Sequence, residues 1–265
     1  MKNLKLMTQL VLPVALLLLI LTACNKEEVA PAPVAEQIPA AHIAQLQAMH
    51  FNVDQLKISE VPLPDGTTQK SYLLEGDLAI PVAQIEEFLA HDVVGHPNLE
   101  QRSYSSLVTA PATLNVLGYT GGSFALTSKM RTGLSWAVNN YNAVTNMGLN
   151  FSLSFGTNFS AADIVVYKIA NAGAGASSGL PSGGNPYKWV RINAGTDAFS
   201  TNVIEGFMTH EIGHCIGMAH TDGTAGTYIF GTPVTDASSI YNTTTSLSTN
   251  GELSNGDKVA LSIIY

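Results

Sequence analysis

The chain has 265 residues, 46% of them hydrophobic and 12% charged. That composition excludes a disordered acidic tail, a coiled coil and a collagen-like repeat, and it leaves apolar mass for a sizeable core. A net charge of -8 with no basic cluster argues against a nucleic-acid partner, and two cysteines, Cys24 and Cys215, cannot make a disulfide scaffold.

Lys2 and Lys5 give a basic start, and residues 10–21 form an apolar run interrupted only by Pro13. A spanning helix needs ~20 apolar residues, so the run reads as a secretory signal over residues 1–23. Leu21-Thr22-Ala23-Cys24 resembles the lipobox of bacterial lipoproteins. The resemblance implies cleavage before Cys24, lipid on its thiol and a stable membrane attachment through several acyl chains. Asn25, where an aspartate would retain the protein, resembles the outer-membrane sorting case. Lys26-Glu27-Glu28 resembles the short export signal of surface lipoproteins in Bacteroidetes-type bacteria. Together they imply an outer-membrane lipoprotein exposed at the cell surface.

Residues 24–41, with Ala30-Pro31-Ala32-Pro33 and Pro39, read as an extended tether. Residues 42–103 read as an acidic N-terminal region and a candidate propeptide. A short helix is expected over 42–49, a turn at Pro64-Asp65-Gly66, one strand over 72–80 and a helix over 85–90. His42, His50, His91 and His96 show no ligand spacing and are expected in solvent. Residues 24–103 hold 4 basic and 12 acidic side chains, and residues 104–265 hold 6 and 8. That asymmetry suggests two units with a boundary near Arg102 to Tyr104.

In residues 104–265 strands are expected over 114–119, 151–155, 162–167 and 188–193. A helix is expected over 126–147, where Met130, Leu134, Val138, Tyr141 and Val144 recur at three- and four-residue spacings. Residues 173–185 are rich in Gly and Ser and read as a loop or irregular edge. A second helix covers 202–215. Ser254, with Asp257 three residues on, opens a last helix as a capping-box pair.

The decisive segment is His210-Glu211-Ile212-Gly213-His214-Cys215-Ile216-Gly217-Met218-Ala219-His220. His210 and His214 leave one helix face and can share an ion. Glu211, one residue off, can reach a metal-activated water without being a ligand. Gly217 can take positive φ and turn the chain out of the helix, bringing His220 back as a third nitrogen. Three protein ligands with a fourth position open is the pattern of a catalytic Zn2+. Five fixed positions at roughly 1 in 20 give on the order of 10⁻⁷ per start, so chance is a poor explanation. Cys215 points about 100° away from His214 on the helix and reads as a buried apolar thiol.

The eleven-residue motif is that of the metzincin zinc proteases. His-Glu-Ile-Gly-His followed by His220-Thr221-Asp222 resembles the dual-action HEIGH metallopeptidase family. The resemblance extends over most of 104–265, and Glu75-Gly76-Asp77 within 72–80 is similar to the region ahead of such domains. It implies an α+β fold: a metzincin-like domain with a twisted mixed sheet, two long helices and a short irregular C-terminal subdomain ending in a helix.

It also implies a monomeric zinc metalloendopeptidase acting on protein or peptide substrates. His210, His214 and His220 would be the metal ligands, Glu211 the general base, and the 173–180 segment the edge along which substrate extends. The family's methionine below the metal is missing, and Tyr241 stands in its place. Tyr241 could project its hydroxyl toward the ion. Ile240 is a candidate pocket wall, and Asp222 a candidate hydrogen-bond partner of a ligand histidine or a turn residue. Structural Ca2+ has no supporting pattern, because Asp163 reads as a turn or cap residue. Glu75 or Asp77 could occupy the metal's open position. The rival reading is a surface binding lipoprotein on a catalytically decayed scaffold, its zinc structural.

Overall fold

The computed structural model describes residues 37–90, 101–243 and 250–265. The signal segment, Cys24, the tether up to residue 36, His91 and His96 lie outside the described residues. Among those described, no helix is long and apolar enough to cross a membrane.

The N-terminal region begins with α1 (Ala40–Ala48), followed by the antiparallel sheet β1 (Lys57–Pro62), β2 (Thr68–Leu74) and β3 (Leu78–Pro81), and then α2 (Ile85–Leu89). The single strand expected over 72–80 is two strands. Glu75 and Gly76 take φ of 51° and 98°, and the Asp77 N–H donates to the Leu74 carbonyl at 3.2 Å. Two consecutive left-handed residues close a tight hairpin turn. The turn is hard to foresee because its first position is a non-glycine. His42 is also not in solvent alone: its ring nitrogens meet the Tyr72 hydroxyl at 2.8 Å and Glu86 at 2.9 Å.

The larger part is α+β. Its five-stranded sheet runs β6 (Leu149–Gly156), β5 (Ala112–Tyr119), β7 (Ile164–Ile169), β9 (Trp189–Asn193) and β8 (Ala176–Ser177). The first four are parallel and β8 is antiparallel at the edge. Strand β7 opens with Ile164-Val165-Val166-Tyr167, all buried, as a central parallel strand covered on both faces should be.

Helix α3 (Ser128–Asn142) is capped by Thr127, whose hydroxyl accepts the Met130 N–H. It buries Met130, Leu134, Val138 and Tyr141. Helix α4 (Thr201–Ile216) lies against it. A Cβ on Gly133 would meet Ile204 Cγ2 at 2.7 Å, so glycine there sets the close approach of the two helices. The irregular C-terminal part ends in α5 (Asn255–Ile264), opened by the Ser254/Asp257 capping box.

Residues 37–265 form one compact unit. Around residue 102 the chain enters the fold: β4 (Arg102–Ser103) pairs with β10 (Thr227–Tyr228), and Gln101 and Arg102 are buried. A second apolar cluster joins Leu74, Leu78 and Ile80 of the hairpin to Tyr104, Leu180 and Ala219.

Candidate metal centre

Helix α4 has no solvent face over its last two and a half turns, because every residue from Met208 to Ile216 is buried. A helix apolar all round is a core helix, and this one is wedged between the sheet and the C-terminal part. His210 and His214 point from it to one side. The helix stops at Gly217, φ 110°, whose N–H donates to the Gly213 and His214 carbonyls. The outgoing chain is then pinned at both ends. The Ala219 N–H donates to the Arg102 carbonyl, and the Thr221 N–H to the Tyr241 carbonyl, each at 2.9 Å. His220 is held between them.

The three Nε2 atoms lie 2.9 Å (His210–His214), 3.2 Å (His214–His220) and 3.3 Å (His210–His220) apart. Each opposite nitrogen faces an acceptor at 2.7 Å: the Ile240 carbonyl for His210, the Met218 carbonyl for His214 and Glu75 Oε2 for His220. An acceptor at Nδ1 fixes the proton there. The three Nε2 lone pairs therefore converge on a common point. Mutually facing lone pairs repel unless a cation or a proton lies among them. A tetrahedral ion with Zn–N of ~2.0–2.1 Å has nitrogen–nitrogen edges of about 3.3 Å, so the donor set fits zinc.

A fourth donor joins them. Asp77 Oδ2 is 3.2 Å from His210 Nε2 and 3.1 Å from His220 Nε2. One donor atom from each of Asp77, His210, His214 and His220 lies within 4.8 Å of every other. With no cation bound, burial and the two other histidines push His214 well below its ordinary pKa. Burial opposes protonation of His220 as well, but the carboxylates of Asp77 and Glu75 override it and hold the group up at about 10. Burial likewise works against the charge on Asp77, yet His220 and His210 keep it well below the usual carboxylate range. A proton and a metal ion thus compete for one corner of the cluster.

Glu211 is buried beside the histidines and is not a donor to the common point. The Ser178 hydroxyl lies 2.8 Å from its Oε2 and 2.9 Å from its carbonyl oxygen; with one hydrogen it donates to one at a time. Burial first, and then the negative charge of Asp77, push the Glu211 carboxyl well above its ordinary pKa. Nothing in the sequence separates Ser178 from the other serines of its segment. It is found only because the sheet edge passes the helix.

Tyr241 lies beneath His210, with ring centroids 6.2 Å apart. Its hydroxyl meets the Tyr141 hydroxyl at 2.9 Å, so it points away from the metal cluster. Ile240 contributes its carbonyl to His210, while its side chain is packed in the main core. Asp222 accepts from the Thr243 N–H and hydroxyl at 2.6 and 2.8 Å; it is a turn residue here, not a histidine partner. Asp163 accepts from the Asn115 backbone and side chain, which is also a local role. Cys215 is fully buried and outside the donor set.

No curated protein matches the chain. Among solved structures, two of myroilysin are similar, at 17% and 15% identity with TM-scores of 0.44 and 0.42. They cover 62% and 66% of this chain and 98% of each myroilysin chain. The family profile described as dual-action HEIGH metallo-peptidase matches residues 72–265, which takes in the Glu75-Gly76-Asp77 turn as well as the three histidines. By that match the chain belongs to the dual-action HEIGH metallo-peptidases.

Proposed function

We propose that the chain is a zinc-dependent endopeptidase of the metzincin type, with His210, His214 and His220 as metal ligands and Glu211 as general base. The observation that carries this is the convergence of three Nε2 atoms at 2.9–3.3 Å with a buried carboxylate beside them. Zn2+ held there supplies a Lewis acid that polarises a peptide carbonyl and acidifies a water molecule. Glu211 takes the proton of the attacking water and passes one to the leaving amine, a shuttle typically worth ~10²–10⁴-fold. A carboxyl with a raised pKa is suited to both transfers. Ser178 holds the Glu211 side chain in place. The backbone of the β8 edge offers hydrogen bonds to an extended peptide, as strand addition does. Replacing Glu211 with Ala should leave zinc stoichiometry unchanged and abolish cleavage of casein. Cleavage at the wild-type rate by that variant would refute the role given to Glu211.

A second reading has the zinc structural, on a scaffold that only binds. Asp77 favours it, since four protein donors make a closed site. The buried Glu211 opposes it, since a structural ion needs no base. Zinc content measured alongside gelatin digestion separates the two.

The mature chain is further read as a lipoprotein anchored through Cys24 on the outer face of the outer membrane. Labelling with a radioactive fatty acid, lost in Cys24→Ala, and protease shaving of intact cells test the anchor and its side.

A further inference from the structure

Asp77 and its neighbours do two things at once. The Asp77 carboxylate sits at the fourth corner of the histidine cluster. Two residues earlier, Glu75 accepts from Nδ1 of His220, so the turn grips one imidazole at both of its nitrogens. Glu75 and Gly76 are left-handed, and across this turn both carboxylates meet the same ring. The other Asp77 oxygen, Oδ1, is buried and has no hydrogen-bond partner among the described residues. A carboxylate satisfied on one side only by histidines suits a metal ligand better than a surface hydrogen-bonding group.

The same residues also take the edge of the main sheet. Leu78 bridges Ser178 in parallel. The Ser178 N–H donates to the Asp77 carbonyl at 3.1 Å, and the Ala79 N–H to the Ser178 carbonyl at 2.6 Å. Those are the backbone groups that an extended peptide lying on this edge would use. Leu78 and Ile80 are fixed behind the contact by packing with the cluster that contains Leu180 and Ala219.

We infer that the β2–β3 hairpin is a built-in inhibitor: Asp77 closes the metal's fourth position and Asp77–Ala79 fills the peptide-binding edge, so the chain is latent until the hairpin is displaced. The inference rests on the peptidase reading of the histidine site and states how that site is regulated. It requires no cysteine, and none occurs between residues 25 and 103.

The test uses the full chain loaded with Co2+ in place of zinc, read by its visible absorption, together with hydrolysis of a peptide library by the zinc form. In the wild type, acetohydroxamate, a small chelating ligand, should leave the cobalt band unchanged. Asp77→Ala should alter the band, bind acetohydroxamate at tenfold or more lower concentration, and hydrolyse peptides about 100-fold faster, as release of a ~99% latched population requires. A wild-type band that shifts with acetohydroxamate as readily as the variant's would overturn the latch, whatever the rates. A variant that gains acetohydroxamate binding but cleaves nothing would leave the latch standing and sink the peptidase reading instead. Should Asp77→Ala fail to fold, the wild-type titration alone decides, since a closed fourth position predicts no response.

Discussion

Gly213 lies directly against the ring of Tyr241: a Cβ at that position would fall on the Cε1 edge of the tyrosine. The glycine between the two helix histidines and the aromatic floor beneath it therefore fit as a pair. Gly213→Ala should force the ring aside, at a cost of about 1–3 kcal/mol for overpacking a tight core. Thermal unfolding should show a lower Tm. Tyr241→Met, which frees space, should restore part of the loss in the double variant.

The Tyr241 hydroxyl bonds to Tyr141, whose own hydroxyl donates to the Thr209 carbonyl at 2.5 Å. Tyr241→Phe should cost about 1 kcal/mol, the worth of one buried hydrogen bond. Zinc stoichiometry and the cobalt spectrum should not change. A spectral change would show that the hydroxyl reaches the ion.

Asp257 is fully buried and accepts from four donors: Gln101, the Ser239 hydroxyl and the N–H groups of Ile240 and Ser254. Ile240 in turn orients His210 through its carbonyl. Asp257→Asn replaces an acceptor oxygen with an amide NH2, which can only donate. It should lower stability by about 1.5–3 kcal/mol and weaken zinc binding by about 10–100-fold, as loss of an outer support does. Zinc competition with a chromogenic chelator measures the second effect.

Metal removal should also be visible in stability. A ligand present at 100 times its Kd adds about 2.7 kcal/mol to the folded state. At ~2–4 °C per kcal/mol for a chain of this size, chelation should lower Tm by about 5–10 °C, and added zinc should restore it. An unchanged Tm after verified removal of the ion would mean that the histidine cluster does not bind it in the folded chain.

Much of this arrangement could be read from the residues. Helices α3, α4 and α5 follow from apolar spacing, the histidine motif and the Ser254 cap, because each signal is local. The three histidines are legible for the same reason: their chemistry depends on a four-residue spacing and one glycine turn. Glu75 and Asp77 were visible only as candidates, since 143 residues separate Asp77 from His220 and no local pattern joins them. The hairpin break at Glu75 was missed because a left-handed glutamate carries no compositional mark. Strand β1 was missed because only Ile58 and Val61 among its Lys-Ile-Ser-Glu-Val-Pro residues are large and apolar. Ser178 became visible only when the sheet edge met the helix.

The absence of a solvent face on the C-terminal half of α4 bears on how the metal centre opens. Amide protons between Met208 and Ile216 have no local route to water, since every side chain around them is packed. They should exchange with deuterium only through global unfolding, while those of the β2–β3 hairpin exchange through a smaller, separate opening. The ligands would then hold still as the hairpin moves, and the histidine geometry would be the same before and after activation.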